Sequence, residues 1–173
     1  IAFRQTLTAL LDSTHIISQY TQPSILRMLE RGVNPTLVKP RRLRATVLFS
    51  DIVGFSQFAE RLKPADLIDV VNSHIDACTE AIDRHGGQVN KLLGDGILAY
   101  FPQREADSAV AAATDILEEM SRRRKRASGA SPHHLLYGGI GLSNGMVYEG
   151  SIGHALKRDF TILGNTVNLA SRL

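Results

Sequence analysis

The chain has 173 residues and is 43% hydrophobic, which is enough for one sizeable buried core and predicts one domain with a short appendage. A formal net charge of +3 is too mild to require nucleic acid, and no apolar run reaches the roughly 20 residues of a membrane helix or the pattern of a secretory signal. The single cysteine, Cys78, excludes an internal disulfide and a cysteine-rich metal site, and we expect a cytoplasmic protein without membrane or nucleic-acid partners.

The N-terminal segment, residues 1–42, is predicted to be a helical linker. Apolar residues recur at helical spacing over residues 2–19, Pro23 interrupts them, and a shorter helix is expected over 24–31. The prolines within 33–42 are typical of a connecting segment, so we expect the main domain to begin at Leu43.

Strand and helix patterns alternate along the rest of the chain. The expected elements are a strand at 43–51, helices at 56–62 and 64–85, a hairpin at 88–101, a helix at 105–124, strands at 135–142 and 146–152 separated by Ser143-Asn144-Gly145, and a helix from Gly164. Asp95-Gly96 between two apolar segments is a strong hairpin signal. This order predicts an α/β fold of the α+β kind, in which helices cover a mainly antiparallel sheet.

Two acidic residues stand out by their position. Asp51 ends a buried strand, and Gly54 follows it at a helix start, where backbone N–H groups could approach a phosphate. Asp95 lies at the tip of the predicted hairpin, and if the two strands are neighbours both acids meet at one sheet edge, as two-metal chemistry requires. Taken singly, Asp95 is more typical of a turn aspartate, and Asp51 also fits a helix N-cap.

The last predicted helix carries an amide and a guanidinium four positions apart, Asn168 and Arg172. This spacing puts them on one helix face, where they could orient a sugar and a phosphate. An exposed polar face is the alternative reading of the same spacing.

Three segments of the chain contain these residues, and they are FSDIVGFS, NKLLGDG and TILGNTVNLASR. Together they resemble the class III adenylate and guanylate cyclases. They occur in the family's order, and the resemblance covers residues 43–173. It implies a ferredoxin-like α/β catalytic domain that binds ATP together with two Mg²⁺ or Mn²⁺ ions per site.

The resemblance also implies which residues bind metal and phosphate. Asp51 and Asp95 match the metal-binding aspartates, and the carbonyl group of Ile52 matches a further metal ligand. The expected substrate-binding positions beside them are Val53, Gly54 and Phe55.

The remaining roles concern the base, the ribose and the transition state. Lys91 and Thr161 match the pair that selects the purine, and a lysine–threonine pair favours adenine, because lysine donates to N1 and threonine can accept from the exocyclic amine. Asn168 matches the residue that orients the ribose, and Arg172 matches the one that stabilises charge on the α-phosphate.

In this family the ribose 3′-oxygen attacks the α-phosphorus and pyrophosphate leaves, at a site shared by two chains. The resemblance therefore implies a homodimer, in which one chain supplies the two aspartates and the other supplies Lys91, Thr161, Asn168 and Arg172. Three rivals remain: a guanylate cyclase, a non-catalytic cyclase-like module, and a nucleic-acid-binding domain based on the basic run 122–126. For that run, a solvated helix end is the simpler reading.

Two further expectations concern what adjoins the chain. Residues 18–40 and 134–153 are similar to bacterial photoactivated adenylate cyclases. This similarity implies a flavin-binding BLUF domain upstream, absent from this chain, and a dimer-forming transmitter role for residues 1–19. The alternative is that residues 1–19 form an ordinary self-packing helix. The chain begins with Ile1 and stops at Leu173, before a phosphate-binding lysine and further strands of the family. We expect such a C-terminally truncated chain to show weak or no pyrophosphate release.

Overall fold

The computed structural model describes residues 13–102, 106–128, 131–154 and 157–173. In these ranges five strands form one sheet, and every pair of neighbours is antiparallel, in the order β2-β3-β1-β4-β5. The strands are β1 (Arg41–Ile52), β2 (Gln88–Leu93), β3 (Gly96–Pro102), β4 (Gly138–His154) and β5 (Lys157–Leu163). The helices are α1 (residues 13–19), α2 (Pro23–Glu30), α3 (Phe55–Ala59), α4 (Pro64–Arg84), α5 (Ala106–Arg126) and α6 (Asn165–Ala170). The predicted antiparallel α/β fold is confirmed.

Both faces of the sheet are covered by helices. Successive residues of a strand point to opposite faces, so Leu48 of β1 packs against α4 and α5 while Val47 packs on the other side. The larger core lies under α4 and α5, and the smaller one lies under α6 and includes Tyr100 and Ile162. Burial on both faces explains why the middle of β1 carries consecutive apolar residues, Val47, Leu48 and Phe49.

The predicted turn at Ser143-Asn144-Gly145 is wrong, because these residues lie inside the continuous strand β4. The side chain of Asn144 donates to the Thr46 hydroxyl at 2.8 Å and accepts from Arg44 Nε at 3.0 Å, both on β1. These cross-strand bonds override the turn preference of Asn-Gly. The second hairpin is instead formed by β4 with β5, a strand that the sequence patterns did not predict.

The two strands at opposite ends of the sheet order, β2 and β5, are joined by side-chain hydrogen bonds. A β-bulge interrupts β2 between Val89 and Lys91. Asn90, at the bulge, donates to the Phe160 carbonyl at 3.3 Å and accepts from the Thr161 hydroxyl at 3.0 Å. The sheet therefore curls until its edges meet, and the bulge sets the direction of the Lys91 side chain.

Helix α6 is shorter than predicted, which corrects the expectation that Asn168 and Arg172 share one helix face. The helix ends at Ala170, and Arg172 lies in the following turn, where its N–H bonds to the Leu169 carbonyl at 3.1 Å. Close packing on β4 positions α6, because a Cβ added to Gly141 would collide with the backbone carbonyl of Ala170.

The N-terminal segment packs against the sheet rather than standing apart from it. Helix α2 contacts β2. Arg41, at the start of β1, forms an ion pair of 2.5 Å with the buried Glu149 of β4. Residues 2–12 of the predicted first helix lie outside the described residues, whereas 13–19 are helical. In the described ranges no helix combines the length and apolarity needed to cross a membrane.

The tight contact between Gly141 and α6 gives a stability prediction. Replacing Gly141 by Ala should lower the free energy of unfolding by about 1–3 kcal/mol, because the new methyl group forces α6 away from the sheet. Urea denaturation measures this loss. Gly150→Ala on the same strand is the matched control, since its nearest neighbours are atoms of Pro40 at 3.2 Å or more. Equal losses in both variants would contradict the packing argument.

Candidate active site

The structure brings Asp51 and Asp95 together. Strands β1 and β3 are neighbours, with Ser50 paired to Ile97, so the end of β1 lies beside the β2–β3 turn that carries Asp95. Asp95 Oδ2 accepts a hydrogen bond of 3.1 Å from the backbone N–H of Ile52, which fixes the turn against the strand. Both carboxylates line an open cleft of about 320 Å³ that also includes the start of α3.

The two carboxylates repel each other electrostatically. The pKa of Asp51 is raised, first because partial burial disfavours its charge and second because Asp95 is close. A cation between them would remove both penalties, and hard oxygen ligands suit Mg²⁺ and Mn²⁺. The donor set therefore fits the expected metals.

A neutral, buried layer lies behind the acidic pair. The Ser50 hydroxyl is 3.4 Å from His74 Nε2, and Cys78 Sγ lies 3.7 Å from that hydroxyl. Burial lowers the pKa of His74 and raises the pKa of Cys78 to about 12, so both side chains favour their uncharged forms. Cys78 is a buried core residue, and the three side chains of this layer carry no positive charge that would neutralise the carboxylates.

Gly139 is a site residue that the sequence patterns did not reveal. It is paired with Asp51 across β4 and β1, and a Cβ at this position would lie 2.7 Å from Asp51 Oδ1. A larger residue here would force the Asp51 carboxylate to move from this position. Its partner is 88 positions away, from 139 − 51, so no local pattern could have identified it.

The turn after Asp51 has the left-handed conformation that its glycine permits. Gly54 has φ 74° and precedes α3. The N–H of Val53 bonds to the Tyr137 carbonyl at 2.8 Å, so this donor is used within the fold. The phosphate role expected for this turn therefore depends on the backbone of Gly54 and Phe55, and Val53 contributes an exposed side chain.

Lys91 and Thr161 lie close to each other across the joined edges of the sheet. Lys91 Nζ forms an ion pair of 2.5 Å with Asp159, which is two residues before Thr161 on β5. Thr161 is buried, and its hydroxyl donates to Asn90, the neighbour of Lys91. The structure thus groups the two residues expected to read the purine and adds Asp159 and Asn90.

Arg172 and Asn168 are both exposed. Arg172 lines a second cleft, of about 410 Å³, together with Asp51 of the same chain, Gly139 and Leu173. Arg172 therefore shares a cleft with Asp51 of its own chain, although the family resemblance assigns it to the site of the other chain.

The basic run at the end of α5 makes specific contacts instead of forming only a solvated helix end. Arg122 and Arg123 pair with Glu119 at 2.9 and 2.8 Å. Arg123 also donates to the Ser73 carbonyl at 2.8 Å, and Arg124 stacks 3.9 Å above the Tyr137 ring. These contacts give part of the run a structural role.

The antiparallel sheet presents paired carboxylates beside a glycine turn and a partly buried lysine. This arrangement is suited to binding nucleoside triphosphates and divalent cations. Residues 37–173 match the family model of the adenylate and guanylate cyclase catalytic domain, and the chain belongs to this family.

Similar proteins include light-regulated cyclases. The chain is 32% identical to an adenylate cyclase of Anabaena cylindrica, in a match that covers 75% of the chain. It is 31% identical to the photoactivated adenylate cyclase subunit alpha of Euglena gracilis, in a match that covers 91% of the chain. It spans 26% and 16% of those two proteins. A solved bacterial light-regulated adenylyl cyclase matches 99% of the chain with a TM-score of 0.94 and 35% identity, and the match covers 51% of that structure.

The unfavourable charge of Asp51 predicts that removing it stabilises the metal-free fold and weakens metal binding. Asp51→Asn should raise the thermal midpoint of the metal-free protein at neutral pH by about 1–3 °C, because a neutral side chain removes the cost of burying the charge and the repulsion from Asp95. The gain should shrink as the pH falls through the raised pKa of Asp51, where the parent carboxylate also becomes neutral.

Thermal unfolding with and without Mn²⁺ measures both effects. Mn²⁺ should raise the midpoint of the parent but not that of Asp51→Asn. The exposed Asp76→Asn on α4 is the matched control and should behave like the parent. A lower midpoint for metal-free Asp51→Asn would contradict a net destabilising effect of the Asp51 charge.

Proposed function

We propose that this chain is the catalytic domain of an adenylate cyclase, which converts ATP to 3′,5′-cyclic AMP and pyrophosphate. The observation that carries the proposal is the convergence of Asp51 and Asp95 at one cleft, where burial and the nearby Asp95 raise the pKa of Asp51. Family membership and the similarity to adenylate cyclases support the reaction type.

The site would hold two Mg²⁺ or Mn²⁺ ions through Asp51, Asp95 and the carbonyl of Ile52. The described residues contain no group of three or more His, Cys, Asp or Glu side chains that could cage a metal without substrate. Triphosphate oxygens and water would complete the coordination, which is the usual habit of Mg²⁺. The metals would lower the pKa of the ribose 3′-hydroxyl and neutralise charge on the phosphates.

The other residues would position the substrate. Backbone groups of Gly54 and Phe55 approach the phosphates, the Asn168 amide orients the ribose, and the Arg172 guanidinium stabilises charge on the α-phosphate. The 3′-oxygen forms a bond to the α-phosphorus as the bond from that phosphorus to the pyrophosphate oxygen breaks.

Adenine preference follows from the hydrogen bonds of Thr161. Its hydroxyl proton is directed to Asn90, so its oxygen is available only as an acceptor. An acceptor suits the exocyclic amine of adenine, and Lys91 can donate to N1. The carbonyl of guanine offers no donor to Thr161, which argues against guanylate cyclase activity.

A homodimer is supported by apolar surface around α6 and the β4–β5 hairpin. Tyr148 and Leu163 are paired across the hairpin and stay 56% and 48% exposed, and Leu169 on α6 is 47% exposed. Such a patch is typical of an interaction surface. A second copy of the chain would cover it and bring Lys91 and Thr161 to the carboxylates of its partner.

Regulation by light is proposed from the linker. The match to the bacterial light-regulated cyclase covers nearly the whole chain, including its linker, whereas the family model begins only at residue 37. Flavin would bind only in an upstream BLUF domain, and α1 would transmit its state. A different sensor domain upstream in the full gene would refute this proposal.

Product analysis with ATP and GTP tests the activity. The full-length protein that carries this chain should form cyclic AMP from ATP, and Asp51→Ala should reduce the rate by about 100-fold or more, because one metal-binding carboxylate is lost. Asp76→Ala is the control on an exposed face of α4. Equal rates for Asp51→Ala and the parent would remove the metal assignment, and cyclic GMP as the main product would favour a guanylate cyclase.

Mixing two inactive variants tests the shared site. If Asp51 and Arg172 act from different chains, an equal mixture of Asp51→Ala and Arg172→Ala should recover about a quarter of parental activity, since half of the dimers are mixed and each carries one intact site. If the two residues act within one chain, as their common cleft would allow, the mixture should stay inactive.

A further inference from the structure

The lysine expected to read adenine already has a partner in this chain. Lys91 Nζ lies 2.5 Å from Asp159 Oδ2, and the two side chains are only 22% and 39% exposed. A hydrogen bond between two charged groups is shorter and stronger than a neutral one, particularly where water is partly excluded. Asp159 therefore restricts where the ammonium group of Lys91 can lie.

Asp159 is in turn held by the linker. Gln22, between α1 and α2, donates from Nε2 to Asp159 Oδ1, and its Oε1 accepts from the backbone N–H of Phe160 at 3.2 Å. One planar amide thus binds both the carboxylate of Asp159 and the next peptide group of β5. Both oxygens of Asp159 have partners, one from the linker and one from β2.

The flexibility of the lysine side chain makes its anchoring by Asp159 important for ligand binding. Its flexible four-carbon stem has high rotamer entropy, so an unanchored ammonium group would occupy many positions at the base site. An ammonium group has three donors, and the bond to Asp159 leaves two of them for a ligand. Asp159 can therefore fix the position of Lys91 without preventing it from binding a purine.

We propose that Asp159 is a positioning residue for Lys91, and that Gln22 of the linker holds Asp159 in place, so that purine recognition depends on a contact made by the N-terminal segment. The inference rests on the proposed function, in which Lys91 donates to adenine N1. Its new content is the chain of contacts from Gln22 to Asp159 to Lys91, which extends the base site into residues 13–30.

Steady-state kinetics with ATP and GTP in the full-length protein test the chain of contacts. Asp159→Asn keeps the shape and the contact with Gln22 but removes the charge, and we expect KM for ATP to rise about tenfold while kcat stays within about twofold. The preference for ATP over GTP should narrow, because anchoring of Lys91 favours adenine. Asp159→Glu, which keeps the charge, should restore part of the loss.

Gln22→Ala should shift KM in the same direction by a smaller factor. Added to Asp159→Asn it should change nothing further, because Gln22 acts through Asp159. Gln19→Ala is the matched control, since this exposed amide of the same linker contacts His15. Equilibrium binding of a non-cyclisable ATP analogue should follow the KM values and serves as a readout independent of turnover.

The outcomes separate the inference from the proposed function. A KM for ATP that is unchanged in both Asp159→Asn and Gln22→Ala overturns the inference, as do additive effects in the double variant or equal losses with ATP and GTP. If Asp159→Asn does not fold, the same criteria apply to Gln22→Ala and Asp159→Glu. Full activity of Asp51→Ala overturns the proposed function, whatever the Asp159 variants do.

Discussion

The structure of the site depends on one unfavourable interaction, the repulsion between Asp51 and Asp95. The register of β1 against β3 forces the two acids together, the Ile52 N–H holds Asp95 in position, and Gly139 leaves room for Asp51. Folding of the rest of the domain offsets this local cost. A divalent cation is then favoured because it neutralises charges that the fold has already brought together.

The packing beneath the acids keeps this interaction uncompensated. Ser50, His74 and Cys78 fill the space between β1 and α4 with side chains that burial favours in their neutral forms. A lysine or arginine there would pair with the carboxylates and compete with metal. The larger hydrophobic core thus has two effects, since it stabilises the sheet and places neutral side chains directly beneath its acidic edge.

Local patterns in the sequence predicted the elements whose causes are local. Strand β1, the hairpin at Asp95-Gly96 and helices α4 and α5 follow from apolar periodicity and turn chemistry, and their bounds agree to within three residues. The turn predicted at Asn144 failed because its side chain bonds to a distant strand, and Arg172 fell outside a helix that ends early. Gly139 and Asp159 acquire their roles only through partners far along the chain, which single-sequence patterns cannot show.

The joined edges of the sheet affect the tendency of the domain to aggregate through its outer strands. Exposed edge strands with regular, unpaired backbone groups are templates for fibril growth and for exchange of strands between molecules. In this domain the bulge at Asn90 breaks the regular ladder of β2, and its side chain ties that strand to β5. The outer edge of β2 is therefore not a regular template, which should disfavour amyloid-like growth from this strand.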